Sequence, residues 1–346
     1  MPEPPYLLPE STDLCTFACS SWWIHGIVKK SAGDVARETE EFMIAEANPR
    51  MNATGLTGLL AQAVERIATA SGDHRTALPE LTLHRRNRPN QPVHCIYTLG
   101  MALTVQGSKH VLLGEKDLSY GPGQSLLTTM DLPVSYHITR ATATEPYLGI
   151  MLKFDRSFIT QIASKIEAVR PGKKEALEPM WIQRLDAPLL DAFYRLVSLL
   201  DEPMLIPQVA PLIQQEIIVR LLTGPHAGYL WNLVNTASPT QRIAHAVSWL
   251  RQNFAEEMRV AELAEQANMS LTTFREHFRS ITGMSPVQFQ KMLRLQEARQ
   301  LMLDQNMSAG RASALVGYES ASQFNREYRR LFGAPPQTDI KRMLSR

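Results

Sequence analysis

The chain has 346 residues, of which 44% are hydrophobic, so two or three domains can each bury a core. Its three cysteines, Cys15, Cys19 and Cys95, form no CxxC pair, which indicates a reducing compartment and argues against a disulfide framework or a structural zinc site. The net charge of +2 is uneven, because residues 238–346 carry 15 basic and 10 acidic residues whereas residues 1–237 carry 21 and 24. The basic last third is typical of a surface that binds phosphate.

Residues 1–50 form a leader with no single periodicity. Four prolines interrupt its first ten residues, and Trp22 and Trp23 lie among polar residues. We expect the leader to be a poorly ordered extension of the fold, although the two tryptophans would also suit a packed arm. The apolar run at positions 14–28 is broken by polar residues and preceded by acidic ones, which is typical of neither a membrane span nor a signal peptide.

Residues 51–237 change from a helix to strands and back to helices. An amphipathic helix is predicted soon after Met51. Short apolar segments separated by glycine turns predict strands near residues 81–84, 93–99, 102–105, 109–113 and 147–152. Helical spacing returns at residues 158–166, 189–200 and 212–222. The pattern predicts an α+β domain built on an antiparallel barrel or sandwich with flanking helices.

The histidines of this domain do not predict a metal site. His84, His94, His110 and His137 are isolated and form no His-x-His pair, which metal-dependent barrels of this kind require. Cys95 follows His94, but adjacent strand residues point to opposite faces, so a buried structural cysteine is the default interpretation. We expect no metal, no cofactor and no catalysis.

Residues 238–346 contain two helix-turn-helix units, at 260–281 and 308–332. In the first unit, Val260, Leu263, Ala264 and Ala267 form one apolar helical face, and Ser270 can begin the next helix. In the second unit, Ser308 can begin the first helix and Ser320 can begin the second. Two short helices joined by a tight turn are the geometry that lays a helix in a DNA major groove.

A single helix is predicted to join the two units. Ser285-Pro286 is a strong helix start, and the apolar positions up to Leu303 keep helical spacing. A helix of this length spans about 27 Å, and successive major grooves on one face of DNA lie about 34 Å apart. The helix can therefore act as a strut that holds two recognition helices one helical turn apart. A helical bundle that binds protein or only fills space is the plainer alternative.

The motifs of the last third resemble the DNA-binding domain of the AraC/XylS transcription regulators. They cover residues 239–340 and are the following: Ser285-Pro286, residues 294–299, Val316-Gly317-Tyr318, Ser322-Gln323-Phe324, residues 329–333 and Pro335-Pro336. The chain departs from the family pattern at residues 308–315, where small residues and Gly310 replace a bulky aliphatic residue. We expect a thinner core contact there, since a glycine inside a helix costs about 1 kcal/mol relative to alanine.

A second resemblance covers residues 81–153, which look like the cupin-like sensor domain of one branch of AraC-type regulators. Its motifs are Thr104–Gly107, Leu112–Gly114, Tyr120–Gly123 and Asp131–Val134. The resemblance implies a small-molecule effector inside the barrel and a dimer formed through the helices that follow it. The residues expected to line the effector pocket are Tyr97, Tyr120, Tyr136 and His137.

Together these observations predict a bacterial, cytoplasmic, sequence-specific DNA-binding regulator that is not an enzyme. The expected partners are double-stranded promoter DNA, a second copy of the chain and a small molecule, with RNA polymerase as a candidate and no membrane. Base contacts are expected from Thr272, Arg275, Glu276, Ser322, Gln323 and Arg326, and phosphate contacts from Arg279, Arg329 and Arg330.

Two alternatives from other classes are weaker. A DNA-repair enzyme with a similar DNA-binding module would need a cysteine-rich zinc site and a second reactive cysteine. A cupin enzyme with a vestigial DNA module would need the missing histidine pair. A metal assay on the purified protein separates both from the regulator.

Overall fold

The computed structural model describes residues 52–166, 178–225, 227–234 and 238–344. The leader, residues 1–50, lies outside these ranges, and so do residues 235–237 at the expected boundary between the two halves. From Met51 onward the chain forms one compact unit, so contacts between its sensor half and its DNA-binding half can be described.

The strands of the first half differ in burial: the strand Ser108–Leu113 alternates between buried and half-buried positions, whereas Tyr147–Lys153 begins with a run of four buried residues. The described strands are β1 Gly72–Arg75, β2 Leu81–Arg86, β3 Val93–Tyr97, β4 Gly100–Gln106, β5 Ser108–Leu113, β6 Lys116–Tyr120, β7 Gln124–Thr128, β8 Leu132–Arg140, β9 Tyr147–Lys153 and β10 Met180–Arg184. The five segments predicted as strands are confirmed as β2, β3, β4, β5 and β9, with shifts of a few residues at their ends.

The strands form two antiparallel sheets that face each other. One has the order β1-β2-β9-β4-β7-β10 and the other the order β3-β8-β5-β6. The chain passes from one sheet to the other after β2, β3, β4, β6, β7 and β8, and the two sheets form a sandwich. Of the two expected forms, the closed barrel is not formed, because the described edge strands of the two sheets do not pair with each other. The sandwich and the α+β class are confirmed.

Helices cover one side of the sandwich. They are α1 Ala53–Ile67, α2 Arg156–Ala163, α3 Ala187–Ser198, α4 Ile206–Thr223 and α5 Ala227–Val234. Asn52, Asp155 and Asp186 begin three of them by accepting a hydrogen bond from the backbone N–H three residues later. The segment Pro203–Thr223 is long and apolar enough to cross a membrane, and its face carrying Ile213, Ile217 and Ile218 lies in the core of this domain.

The second half is all helical. Its helices are α6 Pro239–Gln252, α7 Val260–Gln266, α8 Leu271–Thr282, α9 Pro286–Asp304, α10 Ala309–Leu315, α11 Ala321–Phe332 and α12 Pro336–Leu344. The two helix-turn-helix units, α7–α8 and α10–α11, and the joining helix α9 are confirmed. Ser285 begins α9 with a capping box to Gln288.

The two halves share a hydrophobic core. Val111, Leu113 and Leu132 of the sandwich belong to the same buried cluster as Phe278 of the first helix-turn-helix unit and Phe289 of α9. The turn after β5 approaches the end of α8 so closely that a Cβ added at Gly114 would lie 2.8 Å from the Gly283 carbonyl oxygen. The sandwich therefore packs directly on the DNA-binding half.

Candidate nucleic-acid interface and interior cavity

Helices α8 and α11 are equivalent members of a repeat with a period of 50 residues. Phe274 and Phe278 of α8 are buried, and so are Phe324 and Tyr328 at the same positions of α11. The ten positions 271–280 and the ten positions 321–330 have the same order of buried, half-buried and exposed residues. Both helices therefore turn one apolar face inward and leave a matching polar face open.

The ends of the two helices are also built alike. Ser270 and Ser320 begin them by accepting hydrogen bonds from Thr273 and Gln323 backbone N–H groups. Gly283 and Gly333 end them, each with φ of 76°, a left-handed conformation that glycine adopts without strain. The two candidate recognition helices thus have the same length and the same capping.

All nine side chains predicted to contact DNA lie on the exposed faces of these helices. They are Thr272, Arg275, Glu276, Arg279, Ser322, Gln323, Arg326, Arg329 and Arg330. In the described part of the chain, none of the five arginines forms a salt bridge. Gln323 differs from the others, since its amide donates a 3.2 Å hydrogen bond to Glu327.

The strut α9 fixes the position of both units. The Arg294 guanidinium donates hydrogen bonds to the carbonyl oxygens of Phe254 at 2.6 Å and Gly317 at 2.8 Å. Gln290 donates to the Phe254 carbonyl at 3.0 Å. The loop after α6 and the turn of the second unit are therefore tied to one face of α9, which spans 19 residues, or about 28 Å.

A buried ion pair anchors the second unit to the strut. Asp339, fully buried, lies 2.8 Å from the Arg299 guanidinium and accepts a 2.9 Å hydrogen bond from the Tyr328 hydroxyl. The Arg299 guanidinium also lies 4.3 Å from the centre of the Phe332 ring. Sequence reasoning missed this anchor, because Arg299 and Asp339 are 40 residues apart and lie on different helices.

The second unit has the thinner helix pair, as expected. Helix α10 buries only Ala312 and Ser313, and Leu315 is exposed. The first unit buries Leu263 and Ala264 at the corresponding helix. Gly310 faces open space, so no close packing offsets the loss of helix stability that a glycine causes relative to alanine.

The interior of the sandwich holds a cavity of about 350 Å³ between the two sheets. The side chains that define it are Thr82, His84, Arg86, Cys95, Tyr97, Ala102, Lys109, Tyr136, Ile150, Met151 and Arg251. Most of them come from the sheets, whereas Arg251 comes from α6 in the DNA-binding half. The cavity therefore has one wall from the second half of the chain.

The charged side chains that line the cavity are Asp73, Arg86, Lys109, Lys153 and Arg251, and Lys109 is the buried one among them. Its ammonium lies 4.2 Å from the centre of the Tyr136 ring and 5.1 Å from that of Tyr97. Among the described residues no carboxylate forms a salt bridge with it, and burial lowers the pKa of Lys109 to about 8. Lys109 lies on the buried face of β5 with Val111 and Leu113, because alternate strand residues share a face.

Further polar groups surround Lys109. The Tyr97 hydroxyl is buried without a hydrogen-bond partner, and burial raises its pKa well above the usual value. Asp73 accepts hydrogen bonds from Arg86 at 2.5 Å and forms one with His84 at 2.7 Å. At the wall from α6, the Arg251 guanidinium lies 2.6 Å from the Asp131 carboxylate of the sandwich.

Only two of the four residues predicted to line the pocket reach this cavity, namely Tyr97 and Tyr136. Tyr120 is buried elsewhere in the sandwich. His137 faces away, because successive strand residues alternate in direction, and its ring lies 4.6 Å from that of His110 on the other face. Sequence reasoning missed Lys109, although a lysine in the same alternating register as Val111 and Leu113 was a usable signal.

The cysteine of the cavity is held in its protonated form. Burial raises the pKa of the Cys95 thiol to about 12, so the unreactive thiol form predominates at neutral pH. Within the described ranges, no three His, Cys, Asp or Glu side chains lie close enough together to hold a metal ion.

Sequence comparison relates both halves of the chain to known families. The family described as "AraC-type transcriptional regulator N-terminus" matches residues 77–229, and the family described as "Helix-turn-helix domain" matches residues 263–342. The virulence regulon transcriptional activator VirF of Yersinia enterocolitica is 28% identical over 206 residues, which cover 49% of this chain and 74% of that protein. The transcriptional activator RhaS of Escherichia coli is 32% identical over 110 residues, 32% of this chain and 38% of that protein.

Structural comparison supports the arrangement of the whole fold. The apo form of ToxT from Vibrio cholerae has a TM-score of 0.52 at 9% identity and covers 75% of this chain and 97% of its own. Wild-type ToxT bound to an unsaturated fatty acid has a TM-score of 0.50 at 8% identity, with 75% and 94% covered. The sandwich followed by two helix-turn-helix units is therefore a known architecture.

Proposed function

This chain belongs to the AraC family of transcriptional regulators, and we propose that it places α8 and α11 in successive major grooves of a promoter site under control of a small acid. The observation that carries the first part is the repeat of 50 residues, in which both helices present the same exposed face. Since α9 is about as long as the groove spacing requires, both helices can read one side of the duplex.

The exposed side chains divide by chemistry into base and phosphate contacts. Arg275 and Arg326 lie near the middle of their helices, where an arginine can form two hydrogen bonds to a guanine edge. Arg279, Arg329 and Arg330 lie in the last turns, where contacts with phosphate position the helix without reading sequence. Gln323, already bonded to Glu327, is held in place for an adenine edge.

The DNA-binding proposal is tested with the full-length chain and a fluorescent library of duplexes. We expect selection to enrich one sequence, and the logarithm of its affinity to fall linearly with the logarithm of salt concentration. A control variant, Arg259→Ala, removes an exposed arginine outside both recognition helices and should keep the selected sequence. Binding that shows neither enrichment nor salt dependence contradicts the proposal.

We assign the effector to the cavity around Lys109 and infer that it carries an acid group on an apolar body. Among the described residues the Lys109 ammonium forms no salt bridge, and the carboxylate that lines the cavity, Asp73, is bonded to Arg86 and His84. An anion would therefore relieve the cost of burying the ammonium. Ile150 and Met151 provide apolar walls, and the unpartnered Tyr97 hydroxyl can donate a further hydrogen bond. The fatty acid in the ToxT structure supports a ligand of this class.

Oleate and oleyl alcohol test this assignment, because they share a hydrocarbon chain and differ in the acid group. Titration calorimetry with the full-length protein, below the concentration at which either compound aggregates, should detect oleate and not the alcohol. Equal affinity for both compounds would mean that Lys109 does not recognise an anion.

Four further parts of the proposal follow from the family and the surface. The domain boundaries are proposed at residues 51–237 and 238–346. The protein acts in the bacterial cytoplasm, has no enzymatic activity, and has RNA polymerase as a candidate partner.

We also propose a homodimer through the start of α4, where Met204 and Leu212 are the most exposed apolar side chains of the described residues. Sedimentation analysis should show a dimer that Leu212→Glu converts to a monomer. A wild-type monomer at micromolar concentration contradicts this part.

A further inference from the structure

Strand β3 contacts both the cavity and the DNA-binding half. Cys95 and Tyr97 line the cavity between the sheets. On the other face of the strand, the His94 ring lies edge-on to Phe332 at the end of α11, with 5.7 Å between ring centres. This short segment thus touches the proposed effector site and a recognition helix at once.

Strand β3 is an edge strand of the described sheet, so its backbone forms hydrogen bonds with a neighbouring strand on one side only. In the described sheet it pairs with β8 alone, at the edge of the order β3-β8-β5-β6. Beyond that ladder, the Cys95 carbonyl oxygen accepts a 3.2 Å hydrogen bond from the Gln296 side chain, in the middle of the strut α9. A strand with one ladder can shift with less loss of backbone hydrogen bonding than a strand with two.

Gln296 is placed to respond to such a shift. Its side chain is buried, and its amide oxygen has no hydrogen-bond partner, so the contact to Cys95 provides its specific polar attachment. The neighbouring positions Leu295 and Ala298 are buried in the core of the second unit. A movement of β3 would therefore be transmitted to the strut and to the end of α11.

We propose that β3 couples the cavity to the two helix-turn-helix units, through the Cys95–Gln296 hydrogen bond and the His94–Phe332 contact. This inference rests on the proposed function. Filling the cavity displaces β3, which changes the position of α9 relative to α11 and with it the fit of the two recognition helices to DNA. Gln296 acts as a positioning residue and does not touch either ligand.

The test replaces the unidentified effector with a side chain that fills the cavity. Ala102 lines the cavity on the opposite sheet, so Ala102→Phe projects a ring toward β3. Affinity for the selected DNA is measured by fluorescence anisotropy in three backgrounds: wild type, Gln296→Met and Gln300→Met. Gln300 lies one turn further along α9, is exposed and bonds to Asp304 on the same helix, which makes it the matched control.

We expect Ala102→Phe to change DNA affinity at least about fivefold in the wild-type and Gln300→Met backgrounds, as for ordinary allosteric coupling. In the Gln296→Met background the change should fall below about twofold, since the hydrogen bond that transmits it is gone. An equal change in all three backgrounds, or no change in the wild type, overturns the proposal. Thr98→Leu, at the same cavity, replaces Ala102→Phe if circular dichroism shows that the phenylalanine variant is unfolded.

The same measurements separate this inference from the proposed function. A wild-type protein that selects no DNA sequence refutes the function itself, and the coupling with it. A wild-type protein that binds its selected sequence while the three backgrounds respond equally refutes only the coupling through β3.

Discussion

Replacing Lys109 with methionine should stabilise the protein and abolish acid binding. Lys109 is buried, and its pKa falls from 10.5 to about 8. At 1.36 kcal/mol per pH unit, keeping this lysine charged at pH 7 costs about 3 kcal/mol. The contacts with the rings of Tyr97 and Tyr136 return up to about 2 kcal/mol, so the net gain of Lys109→Met is at least about 1 kcal/mol.

The dependence of this gain on pH has a defined sign. The pKa of Lys109 is lower in the folded protein, so the unfolded chain binds more protons between pH 8 and 10.5 and wild-type stability rises through that window. The advantage of Lys109→Met should therefore shrink by about 1.5 kcal/mol between about pH 8 and pH 9.5. Urea unfolding of both proteins at the two pH values measures the difference and cancels the titration of other groups.

An exposed lysine provides the control for Lys109→Met. Lys165→Met changes an exposed lysine and should alter stability by less than about 0.5 kcal/mol at either pH. Lys109→Met should lose oleate binding and keep its affinity for the selected DNA. A variant that is less stable than wild type by more than about 1 kcal/mol, with no dependence on pH, would refute the reasoning about a costly buried charge.

Three further predictions concern the DNA-binding half. Gly310→Ala should raise the free energy of unfolding by about 1 kcal/mol, because Gly310 is helical and faces open space. Urea unfolding measures this change. A loss of stability would mean that the added methyl group meets a neighbouring atom. Arg275→Ala and Arg326→Ala should each change the free energy of unfolding by less than about 0.5 kcal/mol. Each should weaken binding to the selected DNA site by roughly 1–3 kcal/mol and relax the preference at one base pair. We expect the Arg275 change to weaken binding more than the Arg326 change. An equal loss for all DNA sequences would reassign both arginines to phosphate. Finally, burial and the nearby Arg299 lower the pKa of His94, so its contribution to stability is present above about pH 6.5 and is lost as pH falls through its lowered pKa. His94→Gln should therefore lose less stability than wild type between about pH 6.5 and pH 5 in urea unfolding, while identical losses would contradict this account.

The sequence predicted the elements whose signal is local. The helix pairs, their serine caps and the strut follow from spacing and capping residues within 20 positions, and the structure confirms them. The strands with a run of apolar residues, such as β9, were also predicted. Strands β1, β6, β7, β8 and β10 were not among the predicted segments. For β1 and β6 the reason is a polar sequence, such as Gly72–Arg75, that has no hydrophobic pattern to recognise.

The features that depend on distant residues could not be predicted. Whether the sheets close depends on pairing between edge strands, which no single segment encodes. The anchor of Arg299 and Asp339 joins two helices, and the cavity takes Arg251 from the other half of the chain. Lys109 could be predicted in part. Its alternation with Val111 and Leu113 can be read from the sequence, whereas its lack of a salt bridge among the described residues depends on distant parts of the chain.

Selection of DNA by an insertion variant tests most directly whether both recognition helices read one site. Two residues inserted after Gln296, between the part of α9 that packs on the first unit and the Arg299 anchor of the second unit, rotate the second unit relative to the first by about 200°. The wild-type protein should select two blocks of sequence about one helical turn apart, and the variant should remain folded but lose the fixed spacing and most of its affinity for the wild-type site. Selection of the same two blocks at the same spacing by the variant would contradict the account, because a rigid strut could not then set the distance between the two helices.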